Sequence, residues 1–306
     1  MDSIEILKLD FDSQTIELNK IHNNRILDEC IYVGSGDSYV AGLIVEYLTD
    51  HKCICYSPSD LLNSRLLQDK TYCFISVTGR TKANIELARH ATESGVKTIA
   101  VTLDRNSKLA EVCKKVIPLK IKKVNTPTAG FSTFVANVVT CLQIAGITVP
   151  QKFDIWHEKA IELSLNLLDT MNLPQERVYL LGNNILYAIG LYTSFQMAEF
   201  FGTVAMAHKL EEFCHSPIFG LKKSDNIWIL GQNEKRYSSG LERLGLLTSY
   251  VELYNPDALA QVFQSIFLVQ NLMLLLAGRY GYTELQYLLK EDILKVSSDI
   301  IYDGLR

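Results

Sequence analysis

What this chain lacks narrows its function before any motif is read. It has no basic stripe: its Lys and Arg residues are scattered and the formal net charge is −4, so nothing offers a phosphodiester backbone the long-range attraction on which nucleic-acid binding rests. An anionic ligand would have to be held by local dipoles and a few placed side chains. There is no CxxC pair among the seven cysteines, Cys30, Cys53, Cys55, Cys73, Cys113, Cys141 and Cys214. That removes a common spacing for zinc or dithiol chemistry, and with the odd count it predicts reduced thiols in an intracellular, cytoplasmic protein. Cys53 and Cys55 alternate as on a strand and are expected side by side in the core. The N-terminal stretch MDSIEILKLDFD has no basic start followed by an apolar run, so no signal peptide is expected. No charge falls between Ala129 and Pro150, a span near transmembrane length. Ser132, Thr133, Asn137, Thr140, Gln143 and Thr148 interrupt it, however, and predict a buried helix of a soluble domain.

What is present is a globular composition. The 306 residues, 48% hydrophobic and 21% charged, suffice for two domains or one large sheet-based fold. Short apolar runs rich in β-formers alternate with helical patterns. Cys30 to Val33, Lys52 to Tyr56, Tyr72 to Ser76, Val96 to Thr102 and Val116 to Leu119 read as strands, with helices over Ser38 to Leu48 and Ala83 to Glu93. A long helical region from Phe131 to Met171 follows. Then the alternation resumes, with strands at Val178 to Leu181, Asn226 to Leu230 and Ser249 to Tyr254 and helices at Ile185 to Phe201 and Leu259 to Leu276. Alternation of this kind predicts an α/β fold with doubly wound parallel sheets. Gly34, Tyr39 and Gly42 recur as Gly182, Tyr187 and Gly190 at one constant displacement, which suggests two tandem subdomains related by duplication. The boundary is placed near Val149-Pro150-Gln151, giving subdomains 1–150 and 151–306.

In an open parallel sheet, ligands sit beyond the carboxyl ends of the strands, where helix N-termini offer unpaired N–H groups. Two loops of the first half stand out there. One is Gly34-Ser35-Gly36-Asp37-Ser38-Tyr39; the other runs from Ser76 through Val77-Thr78-Gly79-Arg80 to Thr81. Glycine permits close backbone approach, and small hydroxyls donate to anionic oxygens without adding bulk. Either loop alone reads as ordinary capping and turn chemistry; two of them at strand ends in one half read as a phosphate cup. The first loop lacks the third glycine of a dinucleotide fingerprint, and the next strand does not end on a ribose-binding acid, so NAD is disfavoured.

On these two loops the sequence resembles the sugar isomerase (SIS) domain family, and most closely the isomerase half of glucosamine-6-phosphate synthase, from about Cys30 to the C-terminus. The resemblance implies that Gly36, Ser38, Ser76, Thr78, Gly79 and Thr81 hold the phosphate of a sugar phosphate, and that Ser132 and Thr133 touch the sugar. Asp37 stands where the synthases have Thr, and is expected to turn away from the phosphate and cap its helix. By the same resemblance Glu199 is the enolising base, His215 in Cys214-His215-Ser216-Pro217 the ring-opening group, and Lys295 in Leu294-Lys295-Val296-Ser297 the cation of a C-terminal tail. His208 lies in a Lys- and Glu-rich stretch and reads as solvated.

These roles fit one chemistry. Moving a carbonyl between C1 and C2 needs an opened ring, a carboxylate in an apolar pocket to take the carbon-bound proton, and a cation for the developing oxyanion. Neither a metal nor a cofactor is required. The chain has no glutaminase half and no N-terminal Cys, and Gln196 and Phe134 replace two Lys of the synthases, so glutamine-dependent synthesis is not implied. The resemblance points to a hexose or hexosamine 6-phosphate as substrate, for a glucosamine-6-phosphate deaminase or an aldose-ketose isomerase. The alternative is a non-catalytic sugar-phosphate-binding regulatory module, which usually lacks the Glu–His pair. A homodimer is expected, with neither nucleic acid nor membrane as a partner.

Overall fold

The computed structural model describes residues 1–21, 29–121, 129–169, 171, 177–231 and 235–303. In chain order its elements are α1 (Ser3–Leu18), β1 (Cys30–Val33), α2 (Asp37–Leu48), β2 (Ile54–Tyr56), α3 (Pro58–Leu61), β3 (Thr71–Ile75), α4 (Lys82–Glu93), β4 (Lys97–Thr102), α5 (Lys108–Val112), β5 (Lys115–Pro118) and α6 (Phe131–Ile144). They continue as α7 (Phe153–Leu168), β6 (Val178–Leu181), α8 (Ile185–Phe201), β7 (Ala205–His208), α9 (Leu210–His215), β8 (Asn226–Leu230), α10 (Lys235–Arg243), β9 (Leu247–Val251), α11 (Ala258–Tyr280), α12 (Gln286–Leu289) and α13 (Glu291–Ile301). The strands form two sheets, ordered β2-β1-β3-β4-β5 and β7-β6-β8-β9, and every pairing is parallel.

Two compact units result. One comprises Ile16–Asn125, Gly130–Gln151 and Lys290–Arg306 and carries the first sheet; the other comprises Met1–Thr15, Thr126–Ala129 and Lys152–Leu289 and carries the second. The two sheets fall in different units, with residues 1–15 grouped with the second sheet and residues 290–306 with the first.

In the first unit, strand alternation sends neighbouring residues to opposite faces. Ile31, Val33, Tyr72 and Phe74 pack with Ile85, Leu87 and Ala88 of α4 and Leu109 of α5. Tyr32 points the other way and donates its hydroxyl to the Cys141 carbonyl of α6 at 2.7 Å. Helices therefore cover both faces, which explains why β1 and β3 are buried along their whole length. Each fully buried aromatic of this kind contributes about 2–3 kcal/mol of transfer free energy. The uncharged segment forms α6, in which every residue but Thr133 is buried. The predicted long helical region breaks after it: Gly146 adopts φ +80° and donates to Gln143 while Ile147 donates to Leu142, a helix stop that glycine makes inexpensive.

In the second unit, Tyr179, Leu181, Ile227 and Ile229 pack with Leu210, Phe213 and Leu241 on one face. α7 and α11 join through the Trp156–Phe263 stack, with centroids 5.1 Å apart. Arg177 grips the fully buried Asp225 with two hydrogen bonds of 3.1 and 2.7 Å, fixing the starts of the neighbouring strands β6 and β8. α11 has 23 residues and is apolar enough to cross a membrane by length and composition, while 72% of its most apolar window is buried inside the protein.

The first-sheet strands fall within two residues of expectation. β9 ends earlier than expected, at Val251, because Asp257 starts α11 by accepting from the Leu259 and Ala260 amides, and the residues between lead into that cap. β7 was not anticipated. Its four residues, Ala-Met-Ala-His, are all half-buried and include no β-branched or Phe, Tyr or Trp side chain, so neither alternation nor β-forming residue types mark a strand there.

Candidate active site

The order of the first sheet sets the site. From β1 the chain moves outward to β2 and then returns across β1 to β3, so the connections leave β1 and β3 in opposite directions. Ligands bind at such switch points, beyond the carboxyl ends of the two strands. The loops that follow these strands are the two singled out from sequence, Gly34–Gly36 and Ser76–Thr81.

The first loop lets the chain turn sharply into α2. Gly36 is the N-cap, at φ +57° and ψ −132°, a conformation side-chain-bearing residues rarely adopt. A Cβ on Gly34 would lie 2.7 Å from the Ser38 carbonyl, so the strand end presses directly on the first turn of the helix. Ser38 is buried within that turn.

The second loop is held from below. Thr102 and Leu103, at the end of β4, donate to the Val77 carbonyl, at 3.1 and 3.0 Å. Asn84 of α4 reaches back to the Ile75 carbonyl at 2.9 Å. Gly79 takes φ +63° with its carbonyl accepting from the Leu109 amide at 3.1 Å. The hydroxyls of Ser76 and Thr81 lie 3.1 Å apart and share a hydrogen bond, while Thr78 Oγ1 accepts from the Arg80 amide at 3.3 Å. Three hydroxyls thus gather around the N-terminus of α4, whose first-turn N–H groups are the natural anion donors. Ser132 and Thr133 open α6 in the same unit; Ser132 is buried and Thr133 donates to the Gly130 carbonyl at 2.8 Å.

Asp37 departs from expectation. It does not cap α2, since Gly36 holds that position. Burial pushes its carboxyl up to about 7. A charged Asp at a helix N-terminus normally gains about 0.3–1 kcal/mol from the helix dipole, whereas moving a carboxyl from near 4 to about 7 reflects roughly 4 kcal/mol against its charged form. Desolvation wins, and near neutrality the group is substantially protonated. Because the folded-state value is raised, its favourable contribution is complete below about 4 and is lost as pH rises through 7. The expected consequence is that Asp37→Asn and the wild type bind inorganic phosphate alike at pH 6, while the variant binds several-fold tighter at pH 8. Titration calorimetry at both values checks this, and a difference that does not grow with pH removes Asp37 from the account.

Three further candidates lie on helices. Glu199 sits in the last turn of α8, half-buried with Oε2 sealed from solvent, among Gln196, Met197, Phe200 and Phe201, which are buried. α8 runs back along the sheet from the carboxyl end of β6 to the start of β7, so Glu199 lies toward the amino edge of its sheet. His215 ends α9, which leaves the carboxyl end of β7; its side chain is 72% exposed, with Nε2 3.9 Å from Glu211. One chain's second unit therefore sets these two groups toward different edges of its sheet. Lys295 lies exposed on α13, in the unit of the two glycine and hydroxyl loops.

His208 is not the solvated residue its surroundings suggest. It is the last residue of β7, half-buried, stacked on Tyr179 at 6.0 Å and lowered in pKa by desolvation. A basic and acidic flank misled because the strand, not the charge pattern, sets its environment. Six of the seven cysteines are buried, Cys214 is exposed, and all are free thiols. Among the described residues no group of three or more His, Cys, Asp or Glu could hold a metal ion.

The architecture has solved counterparts. A glucosamine-6-phosphate deaminase from Thermotoga maritima superposes with a TM-score of 0.72 at 19% identity, covering 90% of this chain and 95% of its own. The C-terminal domain of glucosamine-fructose-6-phosphate aminotransferase from Francisella tularensis gives 0.66 at 16% identity, covering 89% and 96%. Tagatose-6-phosphate ketose/aldose isomerase from Escherichia coli gives 0.64 at 15%, covering 92% and 90%. No sequence-family profile matches the chain, and no curated protein sequence does. At these identities the likeness is one of fold, and the fold is that of the phosphosugar isomerase, or SIS, domains.

Proposed function

We propose that the chain is a sugar-phosphate enzyme that opens the ring of a hexose or hexosamine 6-phosphate and moves a proton between C1 and C2. The observation that carries this reading is the pair of glycine and hydroxyl loops at the β1/β3 switch point, a cup for a dianionic phosphate in a chain of net negative charge. Gly36, Ser38, Ser76, Thr78, Gly79 and Thr81 hold the phosphate, and Ser132 and Thr133 meet the sugar. His215 moves the ring-oxygen proton. Glu199 removes the proton from C2 of the open aldose and returns it to C1, and Lys295 balances the oxyanion of the enediol or enolamine. With an amino group on C2 the product is a ketimine. Water adds to it and ammonia leaves, so glucosamine 6-phosphate yields fructose 6-phosphate. The deaminase is preferred to an aldose-ketose isomerase because the phosphate loops resemble the synthase half.

A homodimer belongs to the same reading. The exposure of His215, and its place toward a different edge of the sheet from Glu199, support a His that serves the neighbouring subunit's site. The shared strand order of the two sheets, together with Gly36 and Asn184, which both precede a helix at φ near +55° and ψ near −130°, supports an internal duplication.

Incubation with glucosamine 6-phosphate, fructose 6-phosphate, glucose 6-phosphate and mannose 6-phosphate in turn tests the function. Ammonia release with ketose formation from the first is the expected outcome; ketose alone from an aldose identifies the isomerase. Tight binding of one of these sugars without any conversion establishes the regulatory module instead.

A further inference from the structure

α13 ends in a short strap that lies on the second phosphate loop. Tyr302 forms an antiparallel bridge with Thr81. The next residue is bound reciprocally: the Asp303 amide donates to the Arg80 carbonyl at 2.9 Å, and Arg80 Nε donates to the Asp303 carbonyl at 3.0 Å. The Asp303 carboxylate accepts from Lys108 Nζ at 2.5 Å, and that ammonium, with Lys82 and Arg80 nearby, holds its carboxyl below the usual carboxylate range. Lys82 in turn donates to the Asp299 carbonyl near the end of α13. Arg80, Thr81 and Lys82 are therefore all engaged by the chain's last described residues.

Hydrophobic packing does not account for this arrangement. α13 has no buried residue, and Ile293, Val296 and Ile300 are 66%, 59% and 67% exposed. The strap's main-chain bond is accepted by the Arg80 carbonyl, and Tyr302 pairs opposite Thr81. Thr78 and Gly79, where the loop turns, are untouched by it, and Gly79 is fixed from the other direction by Ser107 and Leu109. A loop held on both sides loses less conformational freedom when an anion binds.

We infer that the Tyr302–Asp303 strap is a positioning element that holds the Ser76–Thr81 loop in its phosphate-binding shape through main-chain hydrogen bonds. The inference rests on the proposed phosphate cup and extends it to the C-terminus. Main chain and charge can be separated in the full-length protein. Asp303→Pro removes the amide that the Arg80 carbonyl accepts from, together with the carboxylate; Asp303→Ala removes the carboxylate and keeps the amide, and Asp303→Asn keeps the amide and removes only the charge. With inorganic phosphate as the probe, followed by titration calorimetry, Asp303→Pro is expected to bind about tenfold more weakly, the loss of one or two well-made hydrogen bonds. The Ala and Asn variants are expected to stay within about threefold of wild type. Hydrogen exchange at residues 77–81 should quicken in the Pro variant alone, with the melting temperature unchanged, a response that a merely structural tail would not give. Equal or tighter phosphate binding by Asp303→Pro overturns the inference, as does an equal loss in all three variants. Failure of the wild type to bind phosphate defeats the cup itself and is a separate result.

Discussion

Replacing Glu199 with glutamine is expected to lower turnover by about a thousandfold or more while leaving sugar-phosphate affinity within about threefold. Glutamine has nearly the same shape and keeps a carbonyl oxygen at the end of α8, so the buried neighbours Gln196, Met197, Phe200 and Phe201 keep their packing. What is lost is the property the proposed reaction asks of this position, the capacity to accept a proton from carbon. Proton nuclear magnetic resonance in deuterated water gives the most direct reading. Wild type should wash deuterium into C1 or C2 of a hexose 6-phosphate even when net conversion is slow, and the variant should not. Calorimetry on the same preparations separates lost chemistry from lost binding, and circular dichroism checks the fold. Undiminished exchange in the variant would remove Glu199 from the mechanism. Exchange lost together with phosphate affinity would mean that the residue supports the site's shape rather than its chemistry.

The sheets and the two glycine and hydroxyl loops that follow β1 and β3 were legible in the sequence for a common reason: each is a local pattern. Cys30–Val33 and Val178–Leu181 are short apolar runs ending at a glycine, and that glycine is where the chain presses against the next helix. Ser76–Thr81 announces itself by composition. Strand order leaves no local trace, because it is fixed by which edges pair after the helices pack. Even so, the order β2-β1-β3-β4-β5 is what turns two suggestive loops into neighbours. Asp37, His208 and Asp303 show the other limit. Residue type suggested a charged helix cap for Asp37, yet burial leaves it titrating near 7; a charged flank suggested solvent for His208, yet β7 half-buries it. The Asp303–Arg80 contacts join residues 223 positions apart, beyond the reach of any periodicity.

Gly79→Ala is expected to be the most damaging small substitution in the first unit. Two independent costs coincide there. The backbone at φ +63° costs an L side chain about 1 kcal/mol, and the new methyl carbon would lie 2.1 Å from Ser107 Oγ and 2.4 Å from Ser107 Cβ. Ser107 cannot yield freely, because its hydroxyl caps α5 by accepting from the Ala110 amide at 3.3 Å. The loop must therefore move, and with it Thr78 and the Ser76–Thr81 hydroxyl pair. A destabilisation of about 2–4 kcal/mol in urea unfolding is expected, with phosphate binding weakened at least tenfold in the fraction that remains folded. Ser107→Gly removes the obstructing side chain at the cost of the cap's side-chain bond, about a few tenths of a kcal/mol because glycine is itself tolerated at an N-cap. The double variant should then be more stable than the two single losses summed, by about 1 kcal/mol or more. Strict additivity would show that backbone strain alone sets the cost, and unchanged phosphate binding in Gly79→Ala would show that the anion does not sit against this turn.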